Sequence, residues 1–484
     1  MLMTFEQLLK LADSDKPARL CLDSRLVKQG DIFVAVEGTI YDGHDFIDQA
    51  LAGGAKYIVA QKPHRVANAE LITVDDCAQA AAILAQSAAQ HPASKLTNLA
   101  VTGTNGKTTV AYFVQSCIRR AGEQCGLIGT IICDTGASVT DSGLTTPDCL
   151  AIAQSQQQMI EAGAKYMIIE ASSHALDQNR LAAIDFKAAA FTNLTGDHLD
   201  YHKTKAEYLI AKTRLFEALS PQATAVLNKQ SPESEQIAKK TKAKILSYAV
   251  EEPADLTAHI ESMDTTGTSF LLEYAGNKYA VKTPLLGRHN VSNALAAAGL
   301  CLAAGFDPQT VAVGISGLKA VPGRLERIDW DGDFSVLIDY AHTDDALENV
   351  LTALKPFCKA RLIVLFGCGG DRDTTKRPRM ATVAEESADF VIVTSDNPRT
   401  ESPDKIINQI VTGFKNPDSP AIAIEPDRKK AIELALTTAQ TDDIVLIAGK
   451  GHETYQVIGK QKFDFSDFEI ARKLLVTRNE KMLS

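Results

Sequence analysis

The last third of the chain alternates short apolar runs with stretches typical of helices. Five runs of strand length are nearly continuously apolar: SVLIDYAH, RLIVLFG, DFVIVTS, AIAIEP and DIVLIAG. Strands that are apolar on both faces, with helices between most of them, predict a parallel sheet covered on both sides. From about Gly323 onward the pattern therefore predicts a doubly wound α/β domain.

Two further blocks precede this domain. Up to about Ser94 the pattern predicts strands at DIFVAV and KYIVAQ and a helix at CAQAAAILAQSAAQ; the proline in HPAS, which ends that helix, indicates a link. The second block begins with a strand, a glycine turn and a helix in LTNLAVTGTNGKTTVAYFVQSCIRRAG. It continues with strands YMIIEAS, AAAFTNL and TAVLN, the hairpin SFLLEYAGNKYAVKT and the helix VSNALAAAGLCLAAG. We therefore predict three domains, 1–94, 95–322 and 323–484.

Composition and charge exclude several classes of protein. The 484 residues include 50 Lys and Arg against 60 Asp and Glu, a net charge of −10. This acidic balance argues against binding nucleic acid through general basic charge, but it allows local anion pockets. The sequence has no 18-residue uncharged apolar run and no signal-peptide pattern, so we expect a cytoplasmic protein without a membrane span. The nine cysteines form no Cys-x-x-Cys pair and are expected to be buried thiols rather than zinc ligands.

A glycine-containing turn before a helix suggests a nucleotide site. The segment Gly103-Thr104-Asn105-Gly106-Lys107-Thr108-Thr109 follows a predicted strand and begins a predicted helix. Glycines let backbone N–H groups approach phosphate, the helix N-terminus attracts anions, and a Lys-Thr pair can contact phosphates and Mg²⁺. The spacing departs from the common Gly-x4-Gly-Lys-Thr form, whose first glycine would fall at Val101. A chance glycine turn is the alternative, and the strand and Lys-Thr-Thr context favours nucleotide binding.

Polar clusters follow four of the apolar strands in the last block. They are DYAH (339–342), GCGGDRD (367–373), DNPR (396–399) and GKGHE (449–453). All carboxyl ends of a parallel sheet share one edge, where ligands of open α/β sheets bind. Each cluster alone could be an ordinary turn. Together, their cationic and acidic side chains favour a ligand that carries both carboxylate and ammonium groups.

Four other positions are candidates for metal or acid–base chemistry. Glu170 ends the strand YMIIE beside the phosphate loop, where a carboxylate could hold nucleotide-bound Mg²⁺. His198 and His202 are four residues apart, but they follow a strand and lack the His-Glu-x-x-His order, so zinc is not favoured. Lys212 lies in an apolar helical stretch, where a lysine is more often at the surface with its stem packed along its neighbours.

A series of motifs along the whole chain resembles the Mur ligase family. In order they are GTNGKTT, EASSHAL, TNLTGDHLDYH, HNVSNALAA, PGRLE, DYAHT, GCGGDRD, DNPRTE and GKGHETYQ. The resemblance implies three domains: a UDP-binding N-terminal domain, a central P-loop ATPase domain with a mostly parallel sheet, and a Rossmann-like C-terminal domain. It also implies a cytoplasmic, ATP- and Mg²⁺-dependent amide ligase of peptidoglycan precursor synthesis, which we expect to be a monomer.

Site residues follow from the resemblance position by position. ATP would bind Gly103, Thr104, Asn105, Gly106, Lys107, Thr108, Thr109, Asn293, Arg324 and Asp339. Mg²⁺ would bind Thr108, Glu170, His198 and Lys212, the last as a carbamylated lysine, and Lys107, Glu170, His198 and Lys212 would be catalytic. UDP-MurNAc-L-Ala-D-Glu would contact Leu22, Ser24, Thr145, Thr146, Ser172, Gln178 and Arg180. The sequence departs from the family pattern at 39–41, where relatives carry His-Gln-Ala, and at Leu144.

The incoming amino acid would contact Arg372, Asp396, Asn397, Pro398, Arg399, Gly449 and Glu453. Arg399 can form two hydrogen bonds with a carboxylate, which the distal end of meso-diaminopimelate has and L-lysine lacks. We therefore predict meso-diaminopimelate as the substrate. Three alternatives stay open here: the same reaction with L-lysine, a ligase similar to folylpolyglutamate synthase, and an NTP-driven switch or binding module.

Overall fold

The computed structural model describes residues 3–14, 17–38, 41–66, 68–196 and 199–483. The N-terminal part contains a parallel four-stranded sheet in the order β1-β2-β3-β4. Its strands are β1 (Leu20–Cys21), β2 (Ile32–Val34), β3 (Tyr57–Ala60) and β4 (Glu70–Thr73). Its helices are α1 (Phe5–Ala12), α2 (Ile47–Ala52) and α3 (Cys77–Ala88).

The central part is built on an eleven-stranded sheet in the order β15-β14-β13-β12-β11-β10-β5-β9-β6-β7-β8. Its strands are β5 (Thr97–Thr102), β6 (Cys125–Ile128), β7 (Ile132–Asp134), β8 (Val139–Asp141), β9 (Tyr166–Glu170), β10 (Phe186–Phe191), β11 (Thr224–Asn228), β12 (Lys244–Val250), β13 (Leu256–Asp264), β14 (Gly267–Tyr274) and β15 (Asn277–Thr283). Its helices are α4 (Lys107–Arg120), α5 (Cys149–Glu161), α6 (Ser173–Asp177), α7 (Leu199–His202), α8 (Lys205–Glu217), α9 (Glu233–Lys240), α10 (Arg288–Ala303) and α11 (Pro308–Gly317). From β13 to β6 the sheet is parallel, and antiparallel strands extend it at both edges.

The strand before the phosphate loop shows why these runs are apolar. Leu99 and Val101 pack into one hydrophobic core, and Ala100 packs into a second core on the opposite face of the sheet. A strand buried on both faces needs apolar side chains at every position. The predicted central parallel sheet is therefore confirmed.

The last part contains a six-stranded sheet in the order β16-β17-β21-β18-β19-β20. Its strands are β16 (Glu326–Arg327), β17 (Ser335–Asp339), β18 (Leu362–Phe366), β19 (Phe390–Val393), β20 (Ile422–Ile424) and β21 (Ile444–Ala448). Its helices are α12 (Asp344–Leu354), α13 (Lys376–Ser387), α14 (Pro403–Val411), α15 (Arg428–Thr438) and α16 (Asp467–Leu483). A separate hairpin, β22 (Tyr455–Ile458) with β23 (Gln461–Asp464), follows β21.

The five predicted strands of this last sheet are parallel, and only β16 runs antiparallel, at the edge. Two hydrophobic cores cover its faces, with alternate residues of β18 in each. The doubly wound prediction is confirmed. All nine cysteines are free thiols, seven of them buried, as the sequence predicted. None of the described helices combines the length and apolar character that crossing a membrane requires.

Candidate active site

A sharp turn between β5 and α4 forms the predicted phosphate loop, residues 103–109. Gly103 and Gly106 have φ of +149° and +91°, a region that glycine adopts without steric cost. A Cβ atom would lie 1.9 Å from Thr192 Oγ1 at the first position and 2.2 Å from Asn293 Oδ1 at the second. Both positions therefore require glycine for backbone conformation and for space.

Lys107 is the first residue of α4 and folds back over this loop. Its Nζ donates to Gly103 O at 3.0 Å and to Thr104 O at 2.9 Å. The unpaired backbone N–H groups at the start of α4 lie at the same turn. A cation and a helix N-terminus together form the combination that binds phosphate groups.

Two residues after β10 hold the loop in place; both lie in the motif TNLTGDHLDYH but were not among the predicted site residues. Thr104 N donates to Asn193 O at 2.9 Å, and Asn105 N donates to Asn193 Oδ1 at 3.0 Å. Thr192 Oγ1 donates to Asn105 O at 2.6 Å. Their place in the sheet could have indicated this role, because β10 neighbours β5 in the parallel sheet and both strands end at the same edge.

The carboxylate and the hydroxyl predicted to bind Mg²⁺ contact each other. Thr108 Oγ1 donates to Glu170 Oε2 at 3.0 Å, and Thr130 donates to the same carboxylate from its N and its Oγ1, each at 2.9 Å. Glu170 is fully buried at the end of β9. A carboxylate beside a hydroxyl offers the hard oxygen ligands that Mg²⁺ prefers, so this pair fits the ion. Among the residues that the structure describes, no cluster of three acidic, histidine or cysteine side chains forms another metal site.

The two other predicted metal ligands differ in outcome. The apolar helix around Lys212 by itself predicts a surface residue; this prediction is wrong, because the residue is only 1% exposed. Its Nζ donates to Gly103 O at 2.8 Å and lies 4.3 Å from the centre of the Tyr208 ring. Helix α8 thus brings a buried amine to the phosphate loop. His198 lies outside the described residues, as do positions 39 and 40.

A cavity of about 830 Å³ lies beside the phosphate loop, between the central and C-terminal parts. Its volume is within the range of small-molecule sites. Seven of the predicted ATP residues line it: Asn105, Gly106, Thr108, Thr109, Asn293, Arg324 and Asp339. The structure therefore brings residues from both parts of the chain to one cavity.

The C-terminal part contributes Arg324 and Asp339 to this cavity. Arg324 Nη2 donates to Thr108 Oγ1 at 3.4 Å, and its guanidinium carbon lies 4.9 Å from the centre of the Tyr340 ring. The Asp339 carboxylate accepts a hydrogen bond from Leu325 N at 2.7 Å. Burial raises the pKa of Asp339, while the charge of Arg324 opposes that shift. Through its hydrogen bond with Leu325 N, Asp339 fixes the backbone next to Arg324.

Five of the seven residues predicted to contact the nucleotide-sugar substrate are joined by hydrogen bonds. Thr146 Oγ1 donates to Glu170 O at 2.7 Å, and Arg180 Nη1 donates to Thr146 O at 2.7 Å. Arg180 Nη2 also donates to Gln178 Oε1 at 2.6 Å, and burial lowers the pKa of this guanidinium. These bonds connect Thr146, Ser172, Gln178 and Arg180, and Thr145 joins them through Thr130, which also contacts Glu170. This cluster is continuous with the Glu170 site.

Leu22 and Ser24 belong to the N-terminal part. Ser24 Oγ donates to Gln49 Oε1 at 2.7 Å, and within the described residues no hydrogen bond joins it to the Thr146 cluster. Leu22 packs against the N-terminal core. The N-terminal and central parts do contact each other beside the Thr146 cluster, where Asn179 Nδ2 donates to Asp76 Oδ2 at 2.7 Å.

The four polar loops meet at the carboxyl ends of β17, β18, β19 and β21, as predicted. Asn397 Nδ2 donates to Glu453 Oε2 at 2.8 Å, which joins the loops after β19 and β21. Arg399 Nη1 donates to Gly370 O at 2.9 Å, which joins the loops after β19 and β18. We call this edge the rim; it carries Arg372, Asp396, Asn397, Pro398, Arg399, Gly449 and Glu453.

The hairpin β22–β23 holds the loop after β19, a contact that the sequence analysis did not predict. Gln456 Nε2 donates to Asp396 O at 2.7 Å, and Val457 N donates to Asn397 Oδ1 at 2.9 Å. Arg399 N donates to Val457 O at 3.1 Å. The backbone of the loop therefore pairs with β22 as a neighbouring strand would. Each strand of this hairpin is only four residues long and none of its residues is buried, which leaves no clear strand signal in the sequence.

A fully buried ion pair contacts the backbone just before two loops of the rim. Arg428 donates to the Asp467 carboxylate at 2.8 and 2.7 Å, and both side chains are 0% exposed. The same guanidinium donates to Ser395 O at 3.3 Å and Ala448 O at 2.9 Å. These carbonyls immediately precede the polar loops after β19 and β21. The pair therefore ties both loops to α15 and α16.

A second buried arginine fixes the glycine-rich loop after β18. Arg377 is completely buried, donates to Glu401 Oε1 at 2.8 Å and also donates to Gly369 O at 3.0 Å. Its hydrogen bonds, with one from the Asp371 N–H, lower the pKa of Glu401 to about 2. The loops after β18 and β19 are thus bound together by a charged pair.

Models of known families match almost the whole chain. The description "Mur ligase family, catalytic domain" matches residues 18–99. "Mur ligase middle domain" matches 101–301, and "Mur ligase, glutamate ligase domain" matches 323–451.

Individual relatives extend this similarity. A protein of Geobacillus thermodenitrificans named UDP-N-acetylmuramoyl-L-alanyl-D-glutamate–2,6-diaminopimelate ligase is 42% identical over 463 residues, 94% of each chain. A protein of Gloeobacter violaceus with the same name is 42% identical over 467 residues, 96% of this chain and 95% of its own. A solved structure under that name is 33% identical, covers 99% of this chain and 100% of its own, and has a TM-score of 0.69.

Proposed function

This chain belongs to the Mur ligase family, and on that premise we propose that it joins meso-2,6-diaminopimelate to UDP-MurNAc-L-Ala-D-Glu in an ATP-dependent reaction of peptidoglycan synthesis. The new amide would form at the γ-carboxylate of the D-glutamate. One observation carries the proposal: the phosphate loop and the loop after β17, which lies at the same sheet edge as the rim, line one cavity between the central and C-terminal parts. The hydrogen bond from Arg324 to Thr108 connects the C-terminal part to the central part.

We propose a separate task for each of the three domains. Residues 1–94 bind the nucleotide end of the UDP-linked substrate, 95–322 bind ATP, and 323–484 bind the incoming amino acid. The cluster around Thr146 and Arg180 supports this division, because it lies between the N-terminal part and Glu170. A substrate bound there would present its carboxylate next to the phosphate loop.

The first step transfers a phosphoryl group. An oxygen of the D-glutamate γ-carboxylate attacks the γ-phosphorus of ATP, the bond to ADP breaks, and an acyl phosphate forms. Lys107, already over the loop, and Arg324, beside Thr108, offset negative charge on the phosphoryl oxygens. The glycines at 103 and 106 let backbone N–H groups reach the same oxygens.

The second step forms the amide. The amine of the incoming amino acid attacks the carbonyl carbon of the acyl phosphate, and a tetrahedral intermediate forms. The C–O bond to phosphate then breaks, inorganic phosphate leaves, and the nitrogen loses its proton. The protein contributes mainly by holding the amine close to the carbonyl carbon, which converts a bimolecular reaction into one within a complex.

Thr108 and Glu170 would hold Mg²⁺, and His198 and carbamylated Lys212 would hold further metal. The ion, when bound, supplies Lewis-acid stabilisation of the phosphate oxygens. Carbamylation adds CO₂ to the neutral amine, which loses a proton and becomes a carboxylate. The burial of Lys212 beside Gly103 supports this, because a carboxylate there would face the phosphate loop. Labelling with ¹³C-bicarbonate tests it: a carbamate carbonyl signal that is present in the wild type should vanish in Lys212→Ala.

Arg399 is our proposed determinant of the amino acid. Its position on the rim, held through its backbone by β22, supports the formation of two hydrogen bonds to the distal carboxylate of meso-diaminopimelate. L-lysine has no such carboxylate and would leave the arginine without this partner. We expect Arg399→Ala to lose most of its preference between the two amino acids, because only the charged contact distinguishes them.

The decisive assay follows phosphate release with ATP and UDP-MurNAc-L-Ala-D-Glu, and offers meso-diaminopimelate or L-lysine in parallel. Turnover with meso-diaminopimelate is expected. Turnover only with L-lysine would refute the role of Arg399. Turnover only with a folate and glutamate would support the folylpolyglutamate synthase alternative, and ATP hydrolysis without any acceptor would support the switch alternative.

We further propose that the enzyme acts as a monomer in the cytoplasm. Nine free, mostly buried thiols support a reducing compartment. Light scattering of the purified protein tests the first statement, and fractionation of cells tests the second.

A further inference from the structure

Lys450 is a completely buried lysine at the centre of the rim, and neither the sequence analysis nor the proposed reaction gives it a role. Its side chain is 0% exposed. Its Nζ donates to Glu453 Oε2 at 2.9 Å, to Asn397 Oδ1 at 3.2 Å and to Asp396 Oδ1 at 3.5 Å. An ammonium group has three N–H donors, and here all three point at residues of the proposed amino-acid site.

Lys450 also determines how its neighbours are oriented. Asn397 Oδ1 accepts from both Lys450 and Val457 N, so the Nδ2 end of that amide must face Glu453, to which it donates at 2.8 Å. Glu453 Oε2 therefore receives hydrogen bonds from two sides. Without the ammonium, this carboxylate would keep only the amide contact, and its position would no longer be fixed.

The charges around Lys450 do not cancel. Two carboxylates, Asp396 and Glu453, contact a single ammonium group. The buried Arg428 also acts on them but is already paired with Asp467, so these five charged groups together leave one negative charge. Buried charge is costly unless a partner of opposite sign is present. One ammonium group of an incoming amino acid has the sign and the charge that this cluster lacks.

We propose that Lys450 is a positioning residue of the amino-acid site. It orients Asn397 and Glu453 and offsets one of the two carboxylate charges, so that the site accepts one ammonium group of the substrate. This inference rests on the proposed function. A purely structural lysine would affect the stability of the domain, whereas a positioning residue also changes the KM for one substrate selectively.

The test compares the full-length wild type with Lys450→Met, which keeps an unbranched side chain one atom shorter and removes its charge. Initial rates are measured while each of the three substrates is varied in turn. We expect the KM for meso-diaminopimelate to rise by about ten- to a hundredfold, the effect of losing hydrogen bonds to a charged group. The KM values for ATP and for UDP-MurNAc-L-Ala-D-Glu should stay within about twofold. Lys462→Met is the matched control, because this exposed lysine lies over the nearby Tyr455 ring and does not contact the carboxylates.

Glu453→Gln and the double variant Lys450→Met/Glu453→Gln complete a cycle. The double variant removes one positive and one negative charge, so it should fold even if Lys450→Met alone does not. Because both side chains act through one contact, we expect the double variant to raise the KM for meso-diaminopimelate by much less than the product of the single effects. If Lys450→Met does not fold, the double variant is compared with Glu453→Gln: a KM that rises for meso-diaminopimelate alone, because Asn397 and Asp396 lose their contact with the ammonium, supports the proposal, and a KM that is unchanged or that rises equally for all three substrates overturns it.

The outcomes separate this inference from the proposed function. Wild-type protein that turns over neither amino acid overturns both. Wild-type turnover combined with an unchanged KM for meso-diaminopimelate in Lys450→Met overturns the role of Lys450 alone. Equal rises in all three KM values, or multiplicative effects in the cycle, indicate a structural lysine and overturn it as well.

Discussion

Replacing Arg428 by Met tests whether the rim depends on the buried ion pair beneath it. The substitution removes the charge and leaves Asp467, which is 0% exposed, as a buried carboxylate without its cation. Breaking such a pair from one side costs about 3–5 kcal/mol. The carbonyls of Ser395 and Ala448 lose a donor at the same time, which adds to the cost. For a unit of about 160 residues, a loss near 4 kcal/mol lowers Tm by roughly 10 °C.

Thermal unfolding of the full chain, followed by calorimetry, measures this effect. The control is Lys415→Met, which breaks an ion pair with Glu386 whose side chains are 70% and 54% exposed; we expect its unfolding temperature to stay close to that of the wild type. The double variant Arg428→Met/Asp467→Leu leaves no buried charge unpaired and should recover part of the lost stability. The stabilising role of the Arg428–Asp467 pair is refuted if Arg428→Met unfolds at the same temperature as the control. It is also refuted if the double variant is no more stable than Arg428→Met.

Three further predictions address the phosphate loop, the metal site and the glycine-rich loop. Gly106→Ala should weaken ATP binding, measured by titration calorimetry, by about tenfold or more, because a Cβ would lie 2.2 Å from Asn293 Oδ1 at a φ of +91°. Glu170→Gln should raise the Mg²⁺ concentration needed for half-maximal activity by about 10- to 100-fold, since a carboxylate ligand is lost; unchanged Mg²⁺ dependence would contradict this. Arg377 lowers the pKa of Glu401 to about 2 in the folded protein, so this carboxylate stabilises the fold fully above pH about 4.5 and progressively less as the pH falls towards 2. Denaturant titrations should therefore show a stability difference between wild type and Glu401→Gln that is constant from pH 5 to 7 and shrinks below pH 4.5.

Several contacts of the rim follow from the sequence because topology alone implies them. Five apolar runs separated by helices require parallel strands, and parallel strands place their carboxyl ends at one edge. The contact between Asn397 and Glu453, from loops more than fifty residues apart, is a direct consequence. The contact between Thr108 and Glu170 has the same origin, because β5 and β9 are adjacent parallel strands.

Other parts of the site depend on packing that no local pattern reveals. The apolar helix around Lys212 predicts a surface lysine, yet α8 packs so that its amine reaches the carbonyl of Gly103. The hairpin that holds Arg399 has two strands of four residues, partly or fully exposed, which are too short for an alternating apolar pattern to predict them. Arg428 and Asp467 are ordinary residues at the starts of two helices until α15 and α16 bring them together.

The sequence by itself determined the layers of the fold, the order of the motifs and the rim at which the polar loops meet. These features depend on hydrophobic periodicity and on residues that are close along the chain, which the sequence records directly. The tertiary structure alone decided which buried charges stand opposite one another at the rim, with Lys450 beside Asp396 and Glu453. For Lys212 the local pattern was wrong, and only the family resemblance had placed it with Thr108 of the phosphate loop. The physical reason is that desolvation and Coulomb interactions depend on distance in space. Only the packed fold sets those distances.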